Sequence, residues 1–121
     1  MSMKEHNLNI GRLGENIAKE YLEKKGYSVI DQNYKNKYAE IDLIAKYKNS
    51  LVFVEVKTRI GEQFGIPEDA INRKKLRRLI RNAQVYMMKK NYDLDFRIDA
   101  LCIVLDENEQ SVRIDHYENI S

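Results

Sequence analysis

Between Glu40 and Lys57 the chain reads EIDLIAKYKNSLVFVEVK, two apolar-rich runs separated by a short polar break. That stretch predicts two short antiparallel strands joined by a tight turn. Successive side chains of a strand point to opposite faces, so each run divides in two. In the second run Val52, Val54 and Val56 share one face, and Leu51, Phe53, Glu55 and Lys57 share the other. In the first, Ile41, Leu43 and Ala45 lie opposite Glu40, Asp42, Ile44 and Lys46. Loop length then decides which residues meet. A two-residue loop, Lys48-Asn49 or Asn49-Ser50, sets Asp42 opposite Glu55 or Lys57 on one face, whereas a three-residue loop separates them. With the even loop, one face is apolar throughout and the other ends in two acids and a lysine. Packing offers no reason to gather those charges on a half-buried strand.

The rest of the chain supplies covers for this hairpin. Ile10 to Lys25 predicts an amphipathic helix, with Ile10, Leu13, Gly14, Ile17, Ala18, Tyr21 and Leu22 on one stripe. Asn7 or Asn9 can cap it, and Gly26 stands where a left-handed terminal residue is wanted. Glu15, at the edge of that stripe, reads as a solvated surface acid. Tyr27 to Asp31 is a short strand, followed by Gln32 to Ala39 as loop or edge extension. Pro67 suits the first turn of a second helix, with Glu68 and Asp69 at its positive end. This helix is expected over Asp69 to Lys89, with a break near Asn72; Leu76, Leu79, Ile80, Ala83 and Met87 form its buried stripe. Phe96 to Leu105 is a central strand by its apolar continuity, and Ser111 to Glu118 an alternating edge strand. His6 and His116 read as surface histidines, since neither has a ligand partner nearby in the pattern.

The order α-β-β-β-α-β-β predicts a small α/β domain over residues 1–121, a mixed sheet flanked by helices. The helix between hairpin and third long strand implies a crossover, hence one parallel pair. The length suffices for one core without staples. A single cysteine, Cys102, in the apolar run ALCIVL, reads as core filler and favours a reducing compartment. Neither a secretory leader nor a membrane-length apolar run is visible, so the expectation is a cytoplasmic protein without a membrane partner. A net charge of +2 is too small to attract nucleic acid by itself, so any such affinity must be local. One local cluster exists: Arg73, Lys74, Lys75, Arg77, Arg78 and Arg81, with no acid between Arg73 and Arg81. A purely structural helix gains from mixed charge pairs and loses from like ones, so the run is either an unusual solvated face or a seat for phosphates.

Two carboxylates converging from adjacent strands, with carbonyls and waters, suit a hard cation such as Mg²⁺ or Mn²⁺. Lys57 beside them can hold an attacking water or stabilise charge building on a phosphate. The bland alternative is a rim of salt bridges in which Lys57 neutralises Asp42 and Glu55.

An ordered series of residues goes further. Gly11-Arg12-Leu13-Gly14-Glu15, Ala18, Tyr21-Leu22, Gly26-Tyr27, Asn33, Glu40 to Ala45 and Val52 to Arg59 recur in the YraN-like (UPF0102) family, which this chain resembles. Lys74 or Lys75, Ala83 and the pair Arg97 and Asp99 complete the pattern. The resemblance implies a restriction-endonuclease-like fold similar to archaeal Holliday-junction resolvases and other PD-(D/E)xK nucleases. It implies a metal-dependent endonuclease acting on DNA, branched or otherwise structured DNA included. The alternative is a nucleic-acid-binding module that keeps the fold without turnover. By the same resemblance Asp42, Glu55 and Lys57 are the catalytic set, and Glu15 joins Asp42 and Glu55 as a metal ligand, directly or through water. Glu40 stands behind them, with Arg12, Thr58 and Gln63 as weaker candidates for contacts to phosphate or metal-held water. A homodimer follows only by analogy with resolvases. Ala39 replaces the family's usual glycine before the Glu-Ile-Asp run, a change that would strain a left-handed backbone.

Overall fold

The computed structural model describes residues 2–61 and 71–121. Helix α1 spans Met3–Lys24, followed by strands β1 (Ser28–Lys35), β2 (Glu40–Tyr47) and β3 (Ser50–Ile60). Helix α2 (Arg73–Lys89) leads to β4 (Asp95–Leu105) and β5 (Ser111–Tyr117). The five strands form one sheet in sequence order, antiparallel except for the β3–β4 pair. The predicted α/β class, element order and parallel crossover are therefore present. β4 is interior and β5 an edge, as their patterns indicated.

Each sheet face is closed by one helix. Ile10, Ala18 and Leu22 of α1 pack on Leu43, Ala45, Val52, Val54, Leu101 and Ile103. Leu79, Ala83, Tyr86 and Met87 of α2 pack on Ile41, Ile44, Leu51, Phe53 and Ile98. Fully burying a side chain of this size contributes about 1.5–3 kcal/mol, so these two stripes hold the helices in place. Helix α1 approaches most closely at Gly14. A Cβ there would lie 1.8 Å from Thr58 Oγ1, so the missing side chain is what lets α1 seat on β3.

Several boundaries differ from expectation. Helix α1 begins at Met3 rather than Ile10, capped by Ser2, whose Oγ accepts from Glu5 N at 3.1 Å, and not by Asn7 or Asn9. The signal was present as Ser-x-x-Glu at positions 2 to 5, a capping-box pattern ahead of turns with no apolar stripe. Gly26, at φ +90°, ends the helix as expected. Half of the polar segment after Asp31 proves to be edge strand, through Lys35. Asn72 is the break near the start of the second helix: it caps α2, with its side chain accepting from Lys75 N at 2.9 Å. Asp69, Glu68, Pro67 and Gln63 lie outside the described residues. His116 is not a surface residue. Its side chain is only 6% exposed, and its Nε2 lies 2.7 Å from Asp99 Oδ2. Asp99 is wholly buried and also accepts from Arg97 Nε and from Asn119 N. This knot ties β4, β5 and the C-terminal segment together, and a full set of partners is what makes a buried carboxylate tolerable.

Candidate functional site

The β2–β3 turn is the even one. Tyr47 pairs with Ser50 across Lys48-Asn49, and Lys48 takes the positive φ (54°) that tight hairpin turns require. Regular pairing runs back to Leu43–Val54 and stops there. Beyond it the strands part, and Ile41 turns into the α2 core instead of sharing the Leu43 face, a departure from strict alternation. The Asp42 carboxylate fills the gap: its Oδ2 accepts from Val56 N at 2.8 Å. Asp42 and Glu55 thereby meet in side-chain contact on the α2 side.

This pair is electrostatically loaded. Burial, contact with Glu55 and repulsion from its charge push the Asp42 carboxyl up to about 8, against the relief of the Val56 N–H. Glu55 is 5% exposed, and its Oε2 is buried without a hydrogen-bond partner. Lys75 Nζ lies 3.3 Å from that oxygen, within ion-pair range but without completing a hydrogen bond. Lys57 contacts Lys75 and borders a separate hollow with Glu15; burial, then that contact, lower its pKa against the pull of Glu55 and Asp42. Burial also opposes the charge on Lys75, yet Lys57 and the two acids outweigh it and raise its pKa. Lys75 thus belongs to the acid site, while Arg73, Lys74, Arg77, Arg78 and Arg81 stay exposed. Position within the basic run gave no sign of this, because it depends on how α2 docks.

The site opens into a cleft of about 500 Å³ lined by Glu40, Asp42, Glu55, Lys74, Lys75 and Arg78, among others. The first turn of α2 carries no acid but three basic residues, Arg73, Lys74 and Lys75. Cations there oppose the helix dipole at a cost of about 0.3–1 kcal/mol each. A basic helix start against an acidic pair makes a cleft with both signs of charge.

Glu15 arrives from the other face, on α1. With the Asn33 amide turned so that its nitrogen faces both acids, that nitrogen lies 3.0 Å from Glu15 Oε1 and 3.1 Å from Glu40 Oε1. Asn33 holds φ +52°, so the bridge rests on a left-handed residue in an edge strand. Burial is the main reason the Glu15 carboxyl is raised; Asn33 and Arg12 oppose this, and Glu40 and Glu55 add to it. Glu15 therefore feels the acid pair without joining it. Among the described residues, no group of three or more His, Cys, Asp or Glu side chains could hold a metal ion. Thr58 packs against Gly14, and Arg12 is exposed beside Glu15. Ala39 is not among the left-handed residues, so the change from glycine costs nothing in backbone strain.

One participant carried no sequence signal of its role. Asn82 sits fully buried in the apolar face of α2. Its Nδ2 donates to Ala39 O at 2.9 Å, and its Oδ1 accepts from Asn36 Nδ2. Asn36 Oδ1 in turn accepts from Tyr38 N at 2.9 Å. The segment entering β2 is clamped to α2 just before Glu40 and Asp42.

Comparison with known proteins follows the same residues. The model of an uncharacterised protein family, UPF0102, matches residues 14–103. A UPF0102 protein of Caldanaerobacter subterraneus subsp. tengcongensis is 41% identical over 112 residues, covering 91% of this chain and 92% of its own. A UPF0102 protein of Flavobacterium psychrophilum is 38% identical over 117 residues, 97% and 96% of the two chains. One from Clostridium botulinum is 43% identical over 101 residues, 82% of each. The match runs from the glycine that seats α1, through both strands of the acid pair, and into β4: the chain belongs to the UPF0102 family.

Proposed function

We propose that this chain is a metal-dependent nuclease-like hydrolase of phosphodiester bonds in DNA, branched or structured DNA included, with a restriction-endonuclease-like fold. One observation carries the reading: the half-buried Asp42 carboxylate and the buried Glu55 carboxylate, the latter with an oxygen lacking a hydrogen-bond partner, share a cleft with a row of cations. A like-charged pair of this kind calls for a proton or a cation between its members. The donors are all oxygens, from Asp42 and Glu55 with Glu15 acting on both through its charge, and two carboxylates completed by water fit Mg²⁺ or Mn²⁺. A divalent ion would supply Lewis-acid polarisation of a phosphoryl oxygen and ready deprotonation of water near neutral pH. Lys57, its charge weakened by burial, would orient the attacking water and meet the charge developing on phosphate. Lys75 would neutralise Glu55 before substrate arrives and turn to phosphate afterwards. Lys74 and Arg78 would hold the backbone at the cleft mouth.

A binding module without turnover is the second reading, favoured by the way Asn33 holds Glu15 to Glu40. Assays with Mg²⁺ and Mn²⁺ over linear, nicked, forked and four-way DNA separate the two. Asp42→Ala and Glu55→Ala should each abolish cleavage while the protein stays folded. Full activity in either variant overturns the site, and binding without cleavage across the whole panel selects the second reading.

A further inference from the structure

Next to the acid cleft, Lys37, Tyr38, Arg77, Arg78 and Arg81 line a second hollow, and Tyr38 and Arg78 border both. Tyr38 is only half-buried, although it stands among cations. The Arg81 guanidinium lies 5.2 Å and the Lys37 ammonium 5.3 Å from the centre of its ring. An exposed cation–π contact contributes about 0.5–1 kcal/mol, too little to explain the construction beneath it. That construction is the clamp described above, in which the buried amide of Asn82 fixes Ala39 and Asn36 and, through Asn36, the backbone of Tyr38. Burying an amide costs unless every polar atom finds a partner, and here the partners are all in the turn that presents Tyr38. The clamp that sets the entry to β2 thus also fixes the backbone that carries the Tyr38 ring.

An aromatic ring with Lys37 and Arg81 over it, contiguous with the acid cleft, matches an unpaired nucleotide whose base takes the ring face as the two cations turn to its phosphates. Its base has a π-face to stack, and its flanking phosphates need positive charge. A blunt duplex offers neither, because its bases are already stacked on one another. We propose that Tyr38 is the stacking platform for an unpaired base, and that Lys37, Arg77 and Arg81 carry the phosphates of that strand toward Asp42 and Glu55. The substrate class is then nucleic acid with a single-stranded stretch beside the cleaved bond. This rests on the nucleic-acid reading of the acid cleft but not on turnover.

The test is fluorescence anisotropy in EDTA, so that metal and cleavage play no part. Probes are a single-stranded DNA oligonucleotide, its RNA counterpart, an abasic strand of equal length and charge, and a blunt duplex. Tyr38→Ala should weaken the base-bearing strands about tenfold or more and leave the abasic strand almost unchanged, while Tyr38→Phe keeps wild-type affinity. Arg81→Gln should weaken every strand and lower the salt dependence by about one phosphate contact. The idea is overturned if Tyr38→Ala weakens base-bearing and abasic strands equally, if it has no effect, or if the duplex binds best. Failure of all probes to bind would remove the nucleic-acid reading as well. Tyr38-dependent binding without cleavage in Mg²⁺ would keep this inference and select the module without turnover. DNA and RNA arms that differ identify the sugar.

Discussion

Replacing Asp42 by asparagine should stabilise the folded protein in metal-free buffer, increasingly so as the pH rises. In the folded chain the Asp42 carboxyl stands at about 8, against an ordinary 3.8, because it is buried beside Glu55. Between those values the folded state holds a proton that the unfolded chain releases. Stability from this group is therefore complete at the acid end and is lost as pH climbs through that window. Each tenfold change in proton affinity is worth about 1.4 kcal/mol, which sets a ceiling of about 6 kcal/mol above pH 8. The open cleft and relaxation of the acid pair will reduce this, and about 1–3 kcal/mol is expected at pH 9. Asparagine keeps the acceptor for Val56 N–H and can donate its amide to Glu55, so repulsion becomes a hydrogen bond. Urea unfolding of both proteins in EDTA, from pH 4 to pH 9, measures the difference. The gap should be near zero at pH 4, widen through neutrality and level off above about pH 8. A gap independent of pH, or a variant less stable than wild type at pH 9, would refute the reasoning. Adding Mg²⁺ at pH 8 should raise only the wild type and narrow the gap.

Gly14→Ala should cost about 1–3 kcal/mol or more in denaturant unfolding, because its Cβ would fall on Thr58. Ala at the nearby exposed position Arg12 should be almost neutral by comparison. Asp99→Asn should cost about 3–5 kcal/mol at pH 7, since it leaves half-buried Arg97 and the shielded His116 side chain without the buried Asp99 carboxylate. Burial pushes the Asp99 carboxyl up, but bonds from His116, Arg97 and Asn119 N–H outweigh it and hold it below 3.8. Its contribution is therefore present above that value and lost as pH falls below it, so the difference between variant and wild type should shrink in acid unfolding experiments.

Period, punctuation and parity made much of this fold legible. Valine, isoleucine and leucine alternation marked β2 and β3, apolar stripes marked both helices, and the intervening helix required the parallel β3–β4 pair. The resemblance added expected roles for Asp42, Glu55 and Lys57, and the even turn places the first two side by side. Those features depend on neighbours along the chain or directly across one hairpin. Other features depend on contacts distant in sequence. The burial of His116 by Asp99, the reach of Lys75 to Glu55, and the bridge from Asn33 to Glu15 and Glu40 join residues on different elements. Asn82 is the sharpest case: on a helical pattern an asparagine in an apolar stripe is only a defect, and the turn it clamps lies more than forty positions earlier. The amino-acid sequence by itself determined the elements and their order, because local sterics and burial set those, and left the acid pair to the parity of one turn. Only the tertiary structure decided which charges neutralise that pair and where Tyr38 points, because polar side chains take their partners from whatever the packed helices bring near.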